Sequence, residues 1–227
     1  MTEIIKIRVG LTNVYLLQSE FSFYILIDTS ISNGRDKFIR QLSRYGISPS
    51  QIKVIIITHA HIDHTGCLAA IKELTGAKVI AHQEAAAYIE SGHSPQPVFS
   101  SSILNNITKK IQSRNPETSK IEPIKVDIVI DEEYDLKEWG VQAKVIPTPG
   151  HTMGSVSVIL EHGDSFVGDT LFNISPFTIM PPIVEDRTKL DNSWESLINS
   201  DSEYFYPGHG NRIPRKRLLQ AIKRASK

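Results

Sequence analysis

Four potential metal ligands in six residues, directly after an unbroken apolar run, constrain this chain more than any other feature. Val54-Ile-Ile-Ile57 has the character of a strand buried on both faces, and after Thr58 it gives way to His59-x-His61-x-Asp63-His64. In a turn leaving a buried strand, alternate side chains can converge on a point just beyond the sheet. His59 and His61 could grip one ion while Asp63 and His64 turn toward a second. Imidazole and carboxylate donors suit zinc, and also iron or manganese.

Three further short polar clusters follow strand-like segments. They are Pro149-Gly-His151-Thr-x-Gly154, Val167-Gly-Asp169-Thr and Tyr206-Pro-Gly-His209-Gly. Glycine beside each ligand lets the backbone bend sharply so that the side chain points into a cleft. Asp169 has two carboxylate oxygens and can bridge two ions. A lone histidine is more often a hydrogen-bonded core or surface group, which is the reading for His82, His93 and His162. The combined pattern of strand-end ligands is far harder to reach by chance.

The rest of the chain supplies an ordinary globular frame. Hydrophobic residues make up 40% and charged residues 22% of 227 positions, which argues against disorder. Lys plus Arg and Asp plus Glu each total 25. A balanced charge gives no whole-molecule field to attract a polyanion, so nucleic acid is not the expected partner. A single cysteine, Cys67, excludes an internal disulfide and a multi-thiolate zinc site; it reads as a small buried side chain. The opening residues lack the apolar core of a secretory signal, and no apolar run approaches the ~18 residues of a membrane span. A cytoplasmic protein is expected; the sequence carries no signal for an oligomeric state.

Strands are predicted at Ile4–Val9, Val14–Gln18 and Phe21–Asp28, with a helix over Arg35–Tyr45 stopped by Gly46. After the ligand cluster come a helix at Cys67–Leu74, a strand at Lys78–Ala81 and a helix at Gln83–Ile89. Ser91–Pro123 is proline- and serine-rich, with only Ile103–Ile111 helical in pattern, and is a candidate lid. Strands resume at Val126–Ile130, Val141–Ile146, Ser155–Leu160 and Ser165–Val167. A helix at Thr188–Ile198, a strand at Tyr204–Tyr206 and a helix at Pro214–Ala225 complete the pattern. Two halves of similar grammar suggest an α/β (α+β) chain with two packed sheets and helices outside.

The ordered set Asp28, His59-x-His61-x-Asp63-His64, His151, Asp169 and His209 resembles the five motifs of the metallo-β-lactamase superfamily, from about Asn13 to Gly210. The resemblance implies a four-layer αββα sandwich, here one domain over residues 1–227, with the site at one edge of the sheets. It implies that His59, His61 and His151 hold one divalent ion, Asp63, His64 and His209 a second, and that Asp169 bridges them. Zinc is the expected metal, with iron or manganese as alternatives. Asp28 would orient a ligand, or serve only as a strand-end turn residue. Such a pair shares a hydroxide near neutral pH that attacks a carbonyl or phosphorus centre, and Asp63 could then pass a proton to the leaving group.

Gly168-Asp169-Thr170-Leu171-Phe172 looks like the glyoxalase II and lactonase branch. The bridging Asp169 sets the chain apart from true β-lactamases, and His61 from the flavodiiron oxygen reductases. The few residues after His209 leave no room for the glutathione-binding helical domain of true glyoxalase II. A small-molecule ester, thioester or lactone is the expected substrate. The alternatives are an iron-dependent persulfide dioxygenase and a phosphodiesterase or ribonuclease. The last draws on the seven basic residues of Asn211–Lys227, a stretch that reads equally as a solvated helix face. Candidate substrate contacts are Tyr15, Met153, Phe172, Asn173, Phe177 and Met180. Ile174–Pro182 is either one wall of an apolar pocket or ordinary core packing.

Overall fold

The unbroken apolar strand at Val54–Ile57 is explained by where its two faces go. In the computed structural model, which describes residues 3–10, 12–99 and 119–225, Ile55 and Ile57 pack toward helices while Val54 and Ile56 pack toward a second sheet. Neighbouring β2 divides in the same way: Val14 and Leu16 face the helices, Tyr15 and Leu17 the other sheet. A side-chain period of two, buried on both faces, leaves no position for a polar residue.

The first sheet runs β1 (Ile4–Val9), β2 (Thr12–Gln18), β3 (Tyr24–Ile27), β4 (Ile52–Ile56), β5 (Lys78–His82) and β6 (Ile128–Ile130) in spatial order. The β1–β2–β3 ladder is antiparallel and β3 through β6 are parallel. The second sheet runs β12 (Ile213–Pro214), β11 (Tyr204–Pro207), β10 (Asp164–Gly168), β9 (Val156–Leu160), β8 (Ala143–Pro147) and β7 (Tyr134–Asp135). Only its β10–β11 pair is parallel.

Helices α1 (Arg35–Arg44), α3 (Leu68–Thr75) and α4 (Gln83–Ser91) cover the outer face of the first sheet through Phe38, Leu42, Leu68, Ile71 and Ile89. The short turn α2 (Ile62–Thr65) lies within the ligand cluster. Helices α5 (Arg187–Asn199) and α6 (Arg215–Ala225) cover the second sheet, with Leu190, Trp194, Leu197 and Leu218 on Val167 and Phe205. The layers are helix, sheet, sheet, helix, as the sequence predicts. Among the described residues no helix is long and apolar enough to cross a membrane.

The predicted elements fall within a few residues of the observed ones, with two kinds of difference. The strand expected over Phe21–Asp28 is confined to Tyr24–Ile27, because Ser22 and Asp28 both take left-handed backbone angles, each with φ near 62°. The two-residue strands β7 and β12 carry too little pattern to be read. The expected helix at Ile103–Ile111 lies outside the described residues. The candidate lid is anchored at both ends of its described portion: Ser94 N–H donates to Ser119 O at 2.8 Å and Ile121 N–H to Gly92 O at 3.0 Å.

Candidate metal centre

All seven ligand candidates meet at one edge of the sandwich, beyond the C-terminal ends of β4, β8, β10 and β11. β4 delivers His59, and the chain then turns through α2, with His61 at its N-cap and Asp63 and His64 inside it. The loop after β8 delivers His151, β10 delivers Asp169, and β11 delivers His209. Their donor atoms form three overlapping groups: His59, His61 and His151; His59, His64 and Asp169; and Asp63, His64 and His209.

Hydrogen bonds behind the ligands fix which ring nitrogen faces inward. His151 Nδ1–H donates to Ile183 O at 2.8 Å, leaving Nε2 as a lone pair. Thr58 Oγ1 donates to Asp28 Oδ2 at 2.8 Å and so accepts from His59 Nδ1–H at 3.1 Å, leaving His59 Nε2 likewise bare. These two lone pairs lie 3.1 Å apart. His61 Nδ1 is 2.9 Å from the same His151 nitrogen. Asp28 Oδ2 also accepts from His64 Nδ1–H at 2.8 Å, which turns His64 Nε2 inward. One carboxylate therefore orients His64 directly and His59 through Thr58, the arrangement by which outer partners set tautomer and basicity.

The second trio is charged. His209 Nε2 lies 3.0 Å from Asp63 Oδ2 and 3.5 Å from Asp169 Oδ2. Asp169 Oδ1 lies 3.5 Å from His64 Nε2, and Asp169 Oδ2 is 3.9 Å from His151 Nε2. The two oxygens of Asp169 thus reach toward both trios.

Ionisation follows the same division. Burial, with His64 and His151 adding, pushes His59 well below the usual histidine range, and burial with His151 takes His61 down to about 3. Burial also lowers His151. His64 is raised well above the ordinary value, because Asp28, Asp63 and Asp169 outweigh the burial that opposes its charge. Burial also opposes the charge of His209, but the hydrogen bond it donates to Asp63, with the Asp169 charge adding, prevails and raises it. Both carboxylates are lowered: burial acts against ionisation of Asp63 and Asp169, and His64 overcomes it.

The donor set fits divalent metal binding. His61 Nε2, His64 Nε2 and Asp169 Oδ1 are buried with no hydrogen-bond partner; the 3.5 Å between the last two is an ion-pair separation beyond good hydrogen-bonding range. An unsatisfied buried polar atom costs about 1–3 kcal/mol. His64 Nε2 and Asp169 Oδ1 facing each other, with the His59 and His151 lone pairs in contact, make up an arrangement that a cation stabilises. Space points the same way. A Cβ on Gly208 would come within 2.5 Å of both Asp169 Oδ1 and His64 Cε1, so only glycine lets this loop close on the cage.

Comparison with known proteins agrees with this geometry. Residues 7–209 match the profile described as the metallo-beta-lactamase superfamily. The chain belongs to that superfamily. A relative from Methanocaldococcus jannaschii, carrying the name probable metallo-hydrolase, is 30% identical over 203 residues, covering 88% of this chain and 87% of that protein. A hydroxyacylglutathione hydrolase from Pelagibacter ubique is 29% identical over 124 residues, but these cover 54% of this chain and 38% of that protein. A chain solved in a di-iron-bound form shares the fold, with a TM-score of 0.70 at 22% identity over 96% of this chain and 98% of that one.

The candidate substrate contacts separate into two groups. Phe172 lies against the centre, its ring centroid 4.9 Å from that of His209. Met153 lines a small cavity of about 80 Å³ beside Ala60, Tyr88, Thr152 and Glu185, next to the ligand turns. The other four are placed elsewhere. Tyr15 is sealed between the sheets against Phe166 and Tyr206, and its hydroxyl donates to Pro207 O at 2.8 Å. Asn173 is engaged by its own neighbours: Nδ2 donates to Asn211 O, and Oδ1 accepts from Arg217. Phe177, 87% exposed, and Met180 line a separate groove with Trp194 and Ala221 that contains none of the seven ligands. Pro176–Met180 therefore lines the groove beside α5 and α6, with Ile179 in the core cluster there and Met180 packed against it.

Sequence reasoning missed Thr58, Asn13 and Arg217. Thr58 precedes the ligand cluster and was within reach as a hydroxyl beside His59. Nothing local marks Asn13 or Arg217, whose partners lie 194 and 44 residues away along the chain.

Proposed function

We propose that this protein is a binuclear metal-dependent hydrolase of the glyoxalase II and lactonase branch, acting on an ester, thioester or lactone of a small molecule. Superfamily membership supports a metal-dependent hydrolase. The observation that carries the finer reading is the placement of Asp169, whose two oxygens reach His64 on one side and His209 and His151 on the other. His59, His61 and His151 would hold one ion, Asp63, His64 and His209 the other, and Asp169 both. An all-nitrogen-and-oxygen donor set with three imidazoles on one side favours zinc, with iron or manganese also accommodated.

When bound, such an ion pair supplies an activated water near neutral pH and a positive field for charge that develops on the substrate. The protein does the rest. Asp28 holds two ligand imidazoles in their productive tautomers through His64 Nδ1 and Thr58. Asp63, with a side chain 37% exposed, is the one ligand of the seven open to solvent, so it is the carboxylate placed to relay a proton from the attacking water to a leaving group. Phe172 on one side and Met153 on the other supply apolar contact for the substrate. The motif Gly168–Phe172 and the partial likeness to a hydroxyacylglutathione hydrolase support the branch.

The test is turnover of a lactone, a thioester and an aryl phosphodiester by metal-replete protein, with Asp169→Ala as control. We expect a lactone or thioester to be cleaved, and the variant to lose at least about 10³-fold, the equivalent of several kcal/mol of transition-state stabilisation. Turnover of the phosphodiester alone would move the assignment to nucleotide chemistry. One iron per chain with persulfide consumption would move it to oxidation.

A further inference from the structure

The loop that carries His209 is held by its backbone. Pro207 O accepts from Asn13 Nδ2 at 2.9 Å and from Tyr15 Oη at 2.8 Å, and Gly208 O accepts from Asn13 N–H at 2.7 Å. His209 O accepts from Asn173 N–H at 3.0 Å. Gly210 O accepts from Asn13 Nδ2 at 2.8 Å and from Lys6 Nζ at 3.0 Å, and Asn211 O accepts from Asn173 Nδ2 at 2.8 Å. Five consecutive carbonyls are thus occupied, three from the first sheet and two by Asn173.

Asn173 cannot perform this alone, because it lies on an irregular segment with exposed Ile174 and Phe177 beside it. Arg217 of α6 fixes it. One guanidinium nitrogen donates to Asn173 Oδ1, and the other donates to Ser175 O at 3.0 Å and Pro176 O at 3.1 Å. The fork of a guanidinium is suited to three acceptors in fixed directions, which a lysine ammonium cannot reproduce. The fit between the two segments is close. A Cβ on Gly210, whose φ is +90°, would fall 1.9 Å from Asn173 O. Phe172, adjacent in sequence, has its ring centroid 4.9 Å from that of His209.

We propose that Arg217 is a positioning residue for the Asp63–His64–His209 half of the centre, acting through Asn173 on the His209 loop, so that binding of one of two ions depends on the C-terminal helix. This rests on the binuclear reading above. The bonds that hold the first trio's rings lie outside this chain of bonds: His151 is held by Ile183 O and His59 by Thr58.

The experiment is stepwise zinc binding, read by competition with a chromophoric chelator, for wild type, Arg217→Ala, Arg217→Lys and Asn173→Ala. Two ions are expected for wild type. In Arg217→Ala one stepwise constant should weaken about 10–100-fold, the usual effect of losing an outer support of a metal ligand, while the other is unchanged. Arg217→Lys should fall between, and adding Asn173→Ala to Arg217→Ala should cost little more. The inference is overturned if wild type binds two ions and Arg217→Ala binds both with wild-type constants, or if both constants weaken equally. Should Arg217→Ala fail to fold, Asn173→Ala decides, since it keeps the bonds to Ser175 and Pro176; an unchanged pair of constants there overturns the inference. A wild type that binds one ion removes the binuclear reading itself, and this inference with it.

Discussion

His59, His61 and His151 meet as three imidazoles with no carboxylate among them, whereas Asp63, His64 and His209 interleave an acid with two bases. The first group is therefore held neutral by burial and by mutual repulsion, with His61 taken down to about 3. The second is held ionised: His64 and His209 are raised and Asp63 is lowered. The supports differ too. In the neutral group His59 and His151 are fixed ring by ring, through Thr58 and Ile183. In the charged group Asp28 fixes His64, while His209 depends on a loop whose backbone is tied across both sheets. Without metal, the neutral half contains lone pairs with nowhere to go, and the charged half already satisfies much of its own charge. Neutral imidazoles are ready to bind, while raised histidines must first release protons.

The sharpest way to break that comparison is to obstruct the charged half together with the Asp169 oxygen that faces it. Gly208→Ala would push a methyl group to within 2.5 Å of Asp169 Oδ1 and His64 Cε1. Misplacement of reacting groups by about 1 Å costs on the order of 10²-fold in rate, and overpacking costs about 1–3 kcal/mol of stability. The expected outcome is a loss of at least about 100-fold in kcat/KM, with one of two zinc constants weakened and the other intact. Equal weakening of both, measured by chelator competition, would show that the halves are not separable.

Asp28→Asn probes their shared support and should have a somewhat smaller effect, about 10–100-fold in metal affinity or activity. The carboxylate accepts from His64 directly but reaches His59 only through Thr58 Oγ1. The charged half should accordingly lose more affinity than the neutral half. A larger loss in the neutral half would mean that the Thr58 link, rather than the His64 bond, is the main function of Asp28.

Much of this was legible in the sequence because the chemistry is local. His59, His61, Asp63 and His64 lie in one turn, and each remaining ligand follows a strand beside a glycine. The sandwich was legible for a related reason: Val54–Ile57 is apolar throughout only because both its faces are buried. What could not be read depends on long-range contact. Tyr15 looks like an accessible aromatic near a site and proves to be inter-sheet core; its hydroxyl partner is 192 residues distant. Asn173 resembles a substrate contact because it follows Gly168–Phe172, yet its side chain is committed to Asn211 and Arg217. Phe177 and Met180 face α5 and α6 because the segment turns away from the cleft after Asn173. Distance along the sequence, rather than residue type, separates the placements that a local pattern can indicate from those that it cannot.

The smallest expected effect concerns metal-free protein and tests the neutral half directly. His61 titrates near 6.5 when unfolded and near 3 when folded. Above pH 6.5 both states are neutral and the group contributes no pH dependence. As pH falls below 6.5 the unfolded chain takes a proton that the folded one refuses, so stability is lost progressively down to about pH 3. Between pH 7 and pH 5 the loss from this group is about 2 kcal/mol by linkage. His64 runs the other way: its folded value is raised, so its contribution is complete below about pH 6.5 and declines as pH rises through the folded value. The two halves therefore oppose each other, and a bulk pH profile would blur them. Urea unfolding of chelator-treated wild type and His61→Gln at pH 7 and pH 5 isolates the first. Wild type should lose about 2 kcal/mol more than the variant over that interval. Equal losses would mean that His61 is protonated in the folded metal-free protein, and the contrast between a neutral and a charged half would fail at one of the three imidazoles that define it.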